Sequence, residues 1–128
     1  MRLSGHFWDR RIEMRILVVD DDPLAGEMTA AMVEELGHDA VLAENGVEAA
    51  EILGNDSSFG LVLSDLNMPM VDGIELFREL RGQGISTPFF LLTGDNPEEV
   101  MLKEPGLNGC LMKDFSLADR LPAILSSL

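Results

Sequence analysis

The stretch RILVVDDDP, residues 15–23, is an apolar run that ends in three aspartates and a proline. Aliphatic runs of this kind are typical of buried strands. Like charges at the end of a strand repel one another, so the aspartates need a physical reason. Asp22 precedes Pro23, a favoured first helical residue, and we expect Asp22 to cap the helix that follows. Asp20 and Asp21 are then candidates for binding a cation.

Short apolar runs alternate with helical patterns along the rest of the chain. The predicted strands cover residues 15–19, 39–43, 61–64, 88–93 and 109–112. The predicted helices cover residues 23–36, 47–53, 72–81, a short segment after Pro97, and 117–128. This alternation predicts an α/β fold in which a doubly wound, five-stranded parallel sheet is covered on both faces, a three-layer sandwich.

Three helices carry specific expectations. In the first helix Leu24, Met28, Ala31 and Met32 share a face, as in an amphipathic helix. The fourth helix should be short, because PG at 105–106 stops it after about two turns. Pro122 lies inside the last helical pattern, so it should either kink that helix or delay its start.

Composition limits the partners. The 128 residues suit one domain, and 23 acidic against 9 basic residues give a net charge of −14. That charge argues against direct binding to nucleic acid or an anionic membrane. With one cysteine and no apolar run long enough to span a membrane, the sequence predicts a soluble cytoplasmic protein. Residues 1–13 fit no element and are expected to form a mobile extension to a domain at 14–128.

Polar residues gather at the carboxyl ends of the predicted strands, which open on one edge of a parallel sheet. They are Asp20, Asp21, Asp65, Thr93 and Lys113. Three crowded carboxylates without histidine or cysteine favour a hard divalent ion, best Mg²⁺. Beside the ion one carboxylate could attack an activated phosphoryl group, whose oxygens a lysine and a hydroxyl would hold.

Four motifs in order resemble the receiver domain of bacterial two-component response regulators. They are ILVVDDDP (16–23), LVLSDLNMPMVDG (61–73), LLTGD (91–95) and GCLMKDF (109–115). The resemblance covers residues 14–128 and implies a flavodoxin-like sheet of order 2-1-3-4-5. It also implies a signalling module in a phosphorelay rather than an enzyme, a monomer or weak dimer whose phosphoryl donor is a phosphohistidine on a sensor kinase or phosphotransfer protein.

The resemblance also implies site roles. Asp65 corresponds to the phosphoacceptor, which makes the chain a phosphoprotein carrying an aspartyl-phosphate. The implied Mg²⁺ ligands are Asp20 (through water), Asp21, Asp65 and the backbone carbonyl of Asn67. The implied phosphoryl contacts are Thr93, the backbone N–H of Gly94, and Lys113. Met68, Pro69 and Gly73 would shape the loop after Asp65. Asn67 and Asp95 stand where the family tunes phosphoryl lifetime, and they resemble the fast-dephosphorylating type.

Three departures from the family pattern stand out. Lys113 is followed by Asp114 instead of a proline in a cis peptide, so we expect a trans bond and some re-aiming of Lys113. Cys110 replaces the switch aromatic, and we expect it to be a small buried thiol. The weak fourth helix predicts an atypical output face.

Rival functions fit less well. A flavodoxin-like electron carrier needs a Ser/Thr/Gly-rich phosphate loop where this chain has aspartates. A haloacid-dehalogenase-type phosphatase places its nucleophile after the first strand, in a pattern that DDDPL lacks. The main alternative is a receiver fold that binds a protein partner without phosphorylation.

Overall fold

The computed structural model describes residues 14–128, and the predicted mobile extension at 1–13 lies outside these residues. Five parallel strands form one sheet in the order β2-β1-β3-β4-β5. The strands are β1 (Arg15–Val19), β2 (Asp39–Ala43), β3 (Phe59–Asp65), β4 (Phe89–Thr93) and β5 (Gly109–Met112). The predicted strands and strand order are therefore confirmed, and β3 begins two residues earlier than expected.

Five helices connect and follow the strands. They are α1 (Pro23–Glu35), α2 (Gly46–Asn55), α3 (Gly73–Gly82), α4 (Pro97–Lys103) and α5 (Leu117–Ser127). Side chains of β1 alternate between two buried clusters, one on each face of the sheet. One cluster takes side chains of α2, α3 and α4, and the other takes those of α1 and α5. The result is the predicted doubly wound three-layer sandwich.

The predicted apolar face of α1 packs against the core only at Met32, which is half-buried, while Ala31 is exposed. Leu24 and Met28 are 68% and 57% exposed, whereas Gly26, Thr29, Ala30 and Val33 are the buried residues of the helix. The buried stripe is made of small side chains because α1 lies close to the sheet. A Cβ on Gly26 would come within 3.2 Å of Leu42 Cδ2 and 3.4 Å of Asp20 Cβ. The hydrophobic pattern of α1 therefore predicts a buried face that the close packing of the helix on the sheet excludes.

Three other expectations concern helix ends. Asp22 caps α1, since its carboxylate accepts hydrogen bonds from the backbone N–H groups of Leu24 and Ala25, as predicted. The fourth helix, α4, has only 7 residues, which also agrees with the prediction. Pro122 does not delay α5, because the helix begins at Leu117 and contains the proline.

Candidate functional site

The register of the sheet brings the polar strand ends to one edge. Val19 pairs with Ser64, Asp65 with Leu92, and Thr93 with Met112, so β1, β3, β4 and β5 end at similar heights. Beyond β5, the Lys113 backbone N–H donates to the Thr93 carbonyl at 2.7 Å, which continues the ladder by one residue. The carboxyl edge thereby holds side chains from four separate segments. We call this group the acidic edge site; it comprises Asp20, Asp21, Asp65, Thr93 and Lys113.

The three carboxylates of the acidic edge site lie close together. One oxygen from each of Asp20, Asp21 and Asp65 falls within 4.8 Å of the others. Asp20 and Asp65 are only 4% and 9% exposed, while Asp21 faces solvent. An all-oxygen set with an open, solvated side fits Mg²⁺, which binds one or two carboxylates and keeps several waters. The residues present therefore fit the metal that the sequence predicted.

Lys113 is the cation that faces these carboxylates. Its Nζ donates to Asp20 Oδ2 at 2.7 Å and lies 3.4 Å from Asp65 Oδ2. Burial by itself lowers the pKa of Lys113, but the hydrogen bond to Asp20 and the charge of Asp65 outweigh that effect, and the pKa is raised. Lys113 is therefore a fixed positive charge at this edge.

The environment of Asp65 disfavours its ionised form. Burial is the main cause that raises its pKa above the ordinary value. The charge of Lys113 opposes this shift, whereas the charges of Asp20 and Asp21 add to it, and the net pKa is raised. A bound divalent cation would reverse this imbalance, since it would favour the ionised form of all three carboxylates.

Both oxygens of Asp20 already accept hydrogen bonds. Oδ1 accepts from the backbone N–H of Asp22 at 2.9 Å, and Oδ2 accepts from Lys113. These contacts hold Asp20 at the floor of the site and link it to the residue that caps α1. Asp21, by contrast, stands on the open side, where a cation with its waters could reach it.

Thr93 ends β4 and is completely buried. Its Oγ1 accepts a hydrogen bond from the backbone N–H of Asp95 at 3.0 Å. A hydroxyl that accepts one bond can still donate its own proton. Gly94 and Asp95 are exposed beyond it, on the rim of the site.

The loop after Asp65 runs close beneath the site. Asn67 is exposed, and Met68 is buried in the core. Met70 has a φ of 69°, a left-handed conformation that is uncommon for a residue with a side chain. A Cβ on Gly73 would lie 2.6 Å from the Asp65 carbonyl oxygen, so α3 approaches the end of β3 at a distance that only glycine permits.

Two departures from the family pattern have structural answers. The Lys113–Asp114 peptide is trans, as predicted, and residues 14–128 contain no cis peptide bond. Cys110 is half-buried rather than buried: it packs against the core and also lines a shallow surface cavity with Met101 and Leu102. Within residues 14–128, β5 is an edge strand that pairs with β4 alone, which leaves this side chain partly uncovered. Burial still raises the pKa of the thiol to about 11.

The hydrogen bonds of the turn between β5 and α5 are not among the sequence predictions, which treat Asp114 only as a replacement for proline. The Asp114 carboxylate accepts hydrogen bonds from the backbone N–H and the hydroxyl of Ser116, at 2.8 and 2.6 Å. Asp56 and Ser58 form the same arrangement at the opposite edge of the sheet. The available signal was the pattern Asp-x-Ser next to a strand, which favours a side-chain turn of this kind.

The strand order and the acidic edge site define a doubly wound α/β protein with a cluster of carboxylates at its switch point. Residues 16–125 match the family model described as the response regulator receiver domain. The chain belongs to this family.

Relatives and solved structures agree with the family. The chain is 38% identical over 112 residues to the response regulator MprA of Mycobacterium tuberculosis, covering 86% of this chain and 48% of MprA. It is 34% identical over 111 residues to the sensor histidine kinase RcsC of Salmonella typhimurium, covering 85% of this chain and 12% of RcsC. The crystal structure of TrrA from Thermotoga maritima in complex with Mg(2+)-BeF matches with a TM-score of 0.80 and 29% identity, covering 90% of this chain and 99% of TrrA.

The match lengths show how the domain is used in these relatives. The chain spans about half the length of MprA and about an eighth of RcsC. The same kind of segment thus occurs in a response regulator and in a sensor histidine kinase. Among the helices of residues 14–128, none is long and apolar enough to cross a membrane.

Proposed function

We propose that this receiver domain accepts a phosphoryl group on Asp65, with Mg²⁺, from a phosphohistidine of a sensor kinase or phosphotransfer protein. The observation that carries the proposal is the position of Asp65: it is 9% exposed, its carboxylate lies 3.4 Å from Lys113, and it shares the edge with Asp20 and Asp21. The domain then signals to a protein partner through a change of conformation, as a module of two-component signalling.

The chemistry assigns a role to each residue of the acidic edge site. An oxygen of Asp65 attacks phosphorus and forms the P–O bond of an acyl phosphate. The P–N bond of the donor breaks, its electron pair returns to the imidazole nitrogen, and that nitrogen takes a proton from solvent. Lys113 pairs with the incoming phosphoryl oxygens, and the Thr93 hydroxyl and Gly94 N–H donate to them. Water later cleaves the acyl phosphate to restore Asp65.

Asp20, Asp21, Asp65 and the backbone carbonyl of Asn67 are the proposed holders of Mg²⁺. When bound, the ion neutralises charge on the carboxylates and on the transferred group. Asp21 offers an exposed ligand, and Asp65 offers a carboxylate whose pKa is raised chiefly by burial. Asp20 contributes through water while its own oxygens hold Lys113 and the Asp22 backbone.

The test is phosphorylation by a small-molecule donor such as acetyl phosphate, with and without Mg²⁺, followed by intact-mass measurement. Wild type should gain one phosphoryl group only with Mg²⁺, and Asp65→Asn should gain none. Asp56→Asn is the matched control, because it removes the same charge at the other edge of the sheet and should be phosphorylated like wild type. Wild type that gains no phosphoryl group in Mg²⁺ and binds no beryllofluoride would refute the proposal.

Two observations favour the alternative of a receiver fold that binds its partner without phosphorylation. Asp114 follows Lys113 where the family pattern has proline, and Cys110 cannot make the inward swing of the usual aromatic. Under this alternative the partner would bind equally well to wild type and Asp65→Asn, with no effect of Mg²⁺ and acetyl phosphate.

We also propose that the phosphoryl group is short-lived. Asn67 and Asp95 are both exposed at the rim, and the Asp95 backbone is tied to Thr93. An amide and a carboxylate at these positions leave room for an attacking water. Decay of the phosphorylated form is measured after removal of the donor, and a half-life of hours would contradict the proposal.

A further inference from the structure

We propose that Asp114 is a positioning residue for Lys113: its carboxylate fixes the turn after β5 and thereby holds the lysine against Asp20 and Asp65. This inference rests on the proposed function of the acidic edge site, but Asp114 itself lies outside that site. It assigns a purpose to the residue that replaces the expected proline.

The turn has to join two fixed points. On one side, the Lys113 backbone N–H donates to the Thr93 carbonyl at 2.7 Å, which anchors it to the sheet. On the other side, Leu117 begins α5 with its side chain only 2% exposed in the core. Residues 114–116 must therefore reverse the chain between the two anchors, and their conformation determines the direction in which the backbone leaves Lys113.

Hydrogen bonds of Asp114 account for the shape of this turn. Its carboxylate accepts from the backbone N–H and the hydroxyl of Ser116, at 2.8 and 2.6 Å, and its carbonyl accepts from the Leu117 N–H at 3.1 Å. Ser116 stands immediately before α5 but, within the described part of the chain, makes no capping bond with its own side chain. Asp114 therefore supplies, two residues earlier, the hydrogen bonds that would otherwise come from a capping side chain.

Packing offers little help to the turn. Phe115, its middle residue, is 93% exposed, so no buried side chain fixes the conformation between the two anchors. Lys113 itself is held at Nζ by Asp20 at 2.7 Å and Asp65 at 3.4 Å. If the turn loosens, Lys113 has a wider range of positions, and fewer of them place Nζ where the phosphoryl oxygens form.

The first experiment compares phosphorylation rates of Asp114→Ala and Asp114→Asn at saturating Mg²⁺ and acetyl phosphate. Asp114→Ala should be slower than wild type by roughly three- to tenfold, because misplaced groups lose rate steeply. Asp114→Asn keeps an acceptor oxygen and should stay within about twofold of wild type. Asp119→Ala is the control for charge, since Asp119 lies in the first turn of α5. The affinity for Mg²⁺ should not change in any of them.

A double-mutant cycle decides whether the effect passes through Lys113. In a Lys113→Ala background, Asp114→Ala should slow phosphorylation no further. An equal slowing in that background would overturn the proposal and leave Asp114 with a general structural role. Equal slowing by Asp114→Asn and Asp114→Ala would overturn it as well, because the effect would then come from charge.

A second readout needs no phosphoryl transfer. The coupling between Lys113 and Asp20, measured by urea unfolding of Lys113→Ala, Asp20→Ala and the double variant, should fall by at least about half when Asp114 is replaced by alanine. An unchanged coupling contradicts the positioning role even if wild type is phosphorylated. If wild type is not phosphorylated but the coupling falls, the proposed function fails and the positioning of Lys113 stands.

Discussion

The two edges of the sheet treat an aspartate in opposite ways. At the amino edge, Asp56 accepts hydrogen bonds from Ser58 and pairs with Arg15, and these contacts lower its pKa to about 2. At the carboxyl edge, burial and two neighbouring carboxylates raise the pKa of Asp65 despite Lys113. Arg15 also lies 4.5 Å above the centre of the Phe59 ring, which further orders the amino edge.

The two aspartates differ in how far the surrounding protein favours the ionised form of the carboxylate. Asp56 is compensated by protein groups, so it needs nothing from outside and serves the fold. For Asp65, burial and the two neighbouring carboxylates outweigh the effect of Lys113, so the ionised carboxylate costs stability. Under the proposed function, this is the carboxylate that reacts with phosphorus.

The largest expected effect comes from α3, which begins at the carboxyl edge and ends at the amino edge. Gly73→Ala would place a Cβ 2.4 Å from Leu91 Cδ2 and 2.6 Å from the Asp65 carbonyl oxygen, and should lower the free energy of unfolding by about 1–3 kcal/mol. Urea denaturation measures the change. Gly82→Ala is the matched control: a Cβ there meets no atom of residues 14–128 within 4 Å, and alanine should be neutral or stabilising by up to about 1 kcal/mol. Equal losses at both ends would show that the carboxyl edge is not the tighter one.

The next effect separates two neighbouring aspartates within the carboxyl edge. Asp21→Ala should weaken Mg²⁺ binding at least tenfold, or about 1.4 kcal/mol, with little change in stability, because Asp21 is an exposed candidate ligand. Asp22→Ala should do the reverse and cost about 1 kcal/mol of stability through loss of the α1 cap. Calorimetric titration with Mg²⁺ and thermal unfolding of both variants provide the comparison. A loss of Mg²⁺ affinity in Asp22→Ala would mean that the three aspartates act as one patch.

A smaller effect tests the two edges directly, without Mg²⁺. At pH 7, Asp65→Asn should raise the unfolding midpoint, because a carboxylate with a raised pKa destabilises the fold while ionised. Asp56→Asn should lower that midpoint. The folded-state pKa of Asp56 is depressed, so its contribution is present above the unfolded pKa near 3.8 and is lost as the pH falls towards 2. The deficit of Asp56→Asn should therefore vanish in that range. Shifts of the same sign for both variants at pH 7 would contradict the comparison.

The smallest effect concerns Cys110, on the edge strand beside α4. With a pKa of about 11, its thiol is protonated at pH 8, so iodoacetamide should label the folded protein more slowly than the urea-unfolded chain. The labelling rate of the folded protein should rise as the pH approaches 11. Cys110→Ala should be phosphorylated like wild type. Rapid labelling of folded protein at pH 8 would show an activated thiol instead.

The fold was largely accessible from the sequence because it depends on short-range patterns. Runs such as RILVV and PFFLL bury all their side chains only in a sheet that is covered on both faces. The helices between them favour parallel pairing of the strands. The expected end of α4 and the cap at Asp22 followed for the same reason: a proline or a capping carboxylate acts on backbone groups within a few residues.

The sequence predictions are wrong where residues distant in sequence determine which side chains are buried. The apolar pattern of α1 predicts that Leu24 and Met28 face inward, but α1 lies so close to the sheet that smaller side chains are buried instead. The sequence predicts a buried Cys110, yet among residues 14–128 strand β5 pairs with β4 alone, and the thiol is half-buried. Neither the close packing of α1 on the sheet nor the edge position of β5 can be read from the local hydrophobic periodicity.

By itself, the sequence determined which residues can occupy the carboxyl edge, because each follows a strand and parallel strands end on one side. The tertiary structure decided which contacts each of these residues and their neighbours makes. Lys113 donates to Asp20 as well as facing Asp65, Asp22 turns away to cap α1, and Asp114 ties the turn behind Lys113. Hydrogen bonds and ion pairs form or fail with differences of a few tenths of an ångström in the distance between two groups. These groups are up to 93 residues apart in sequence, so only the folded chain sets the distance.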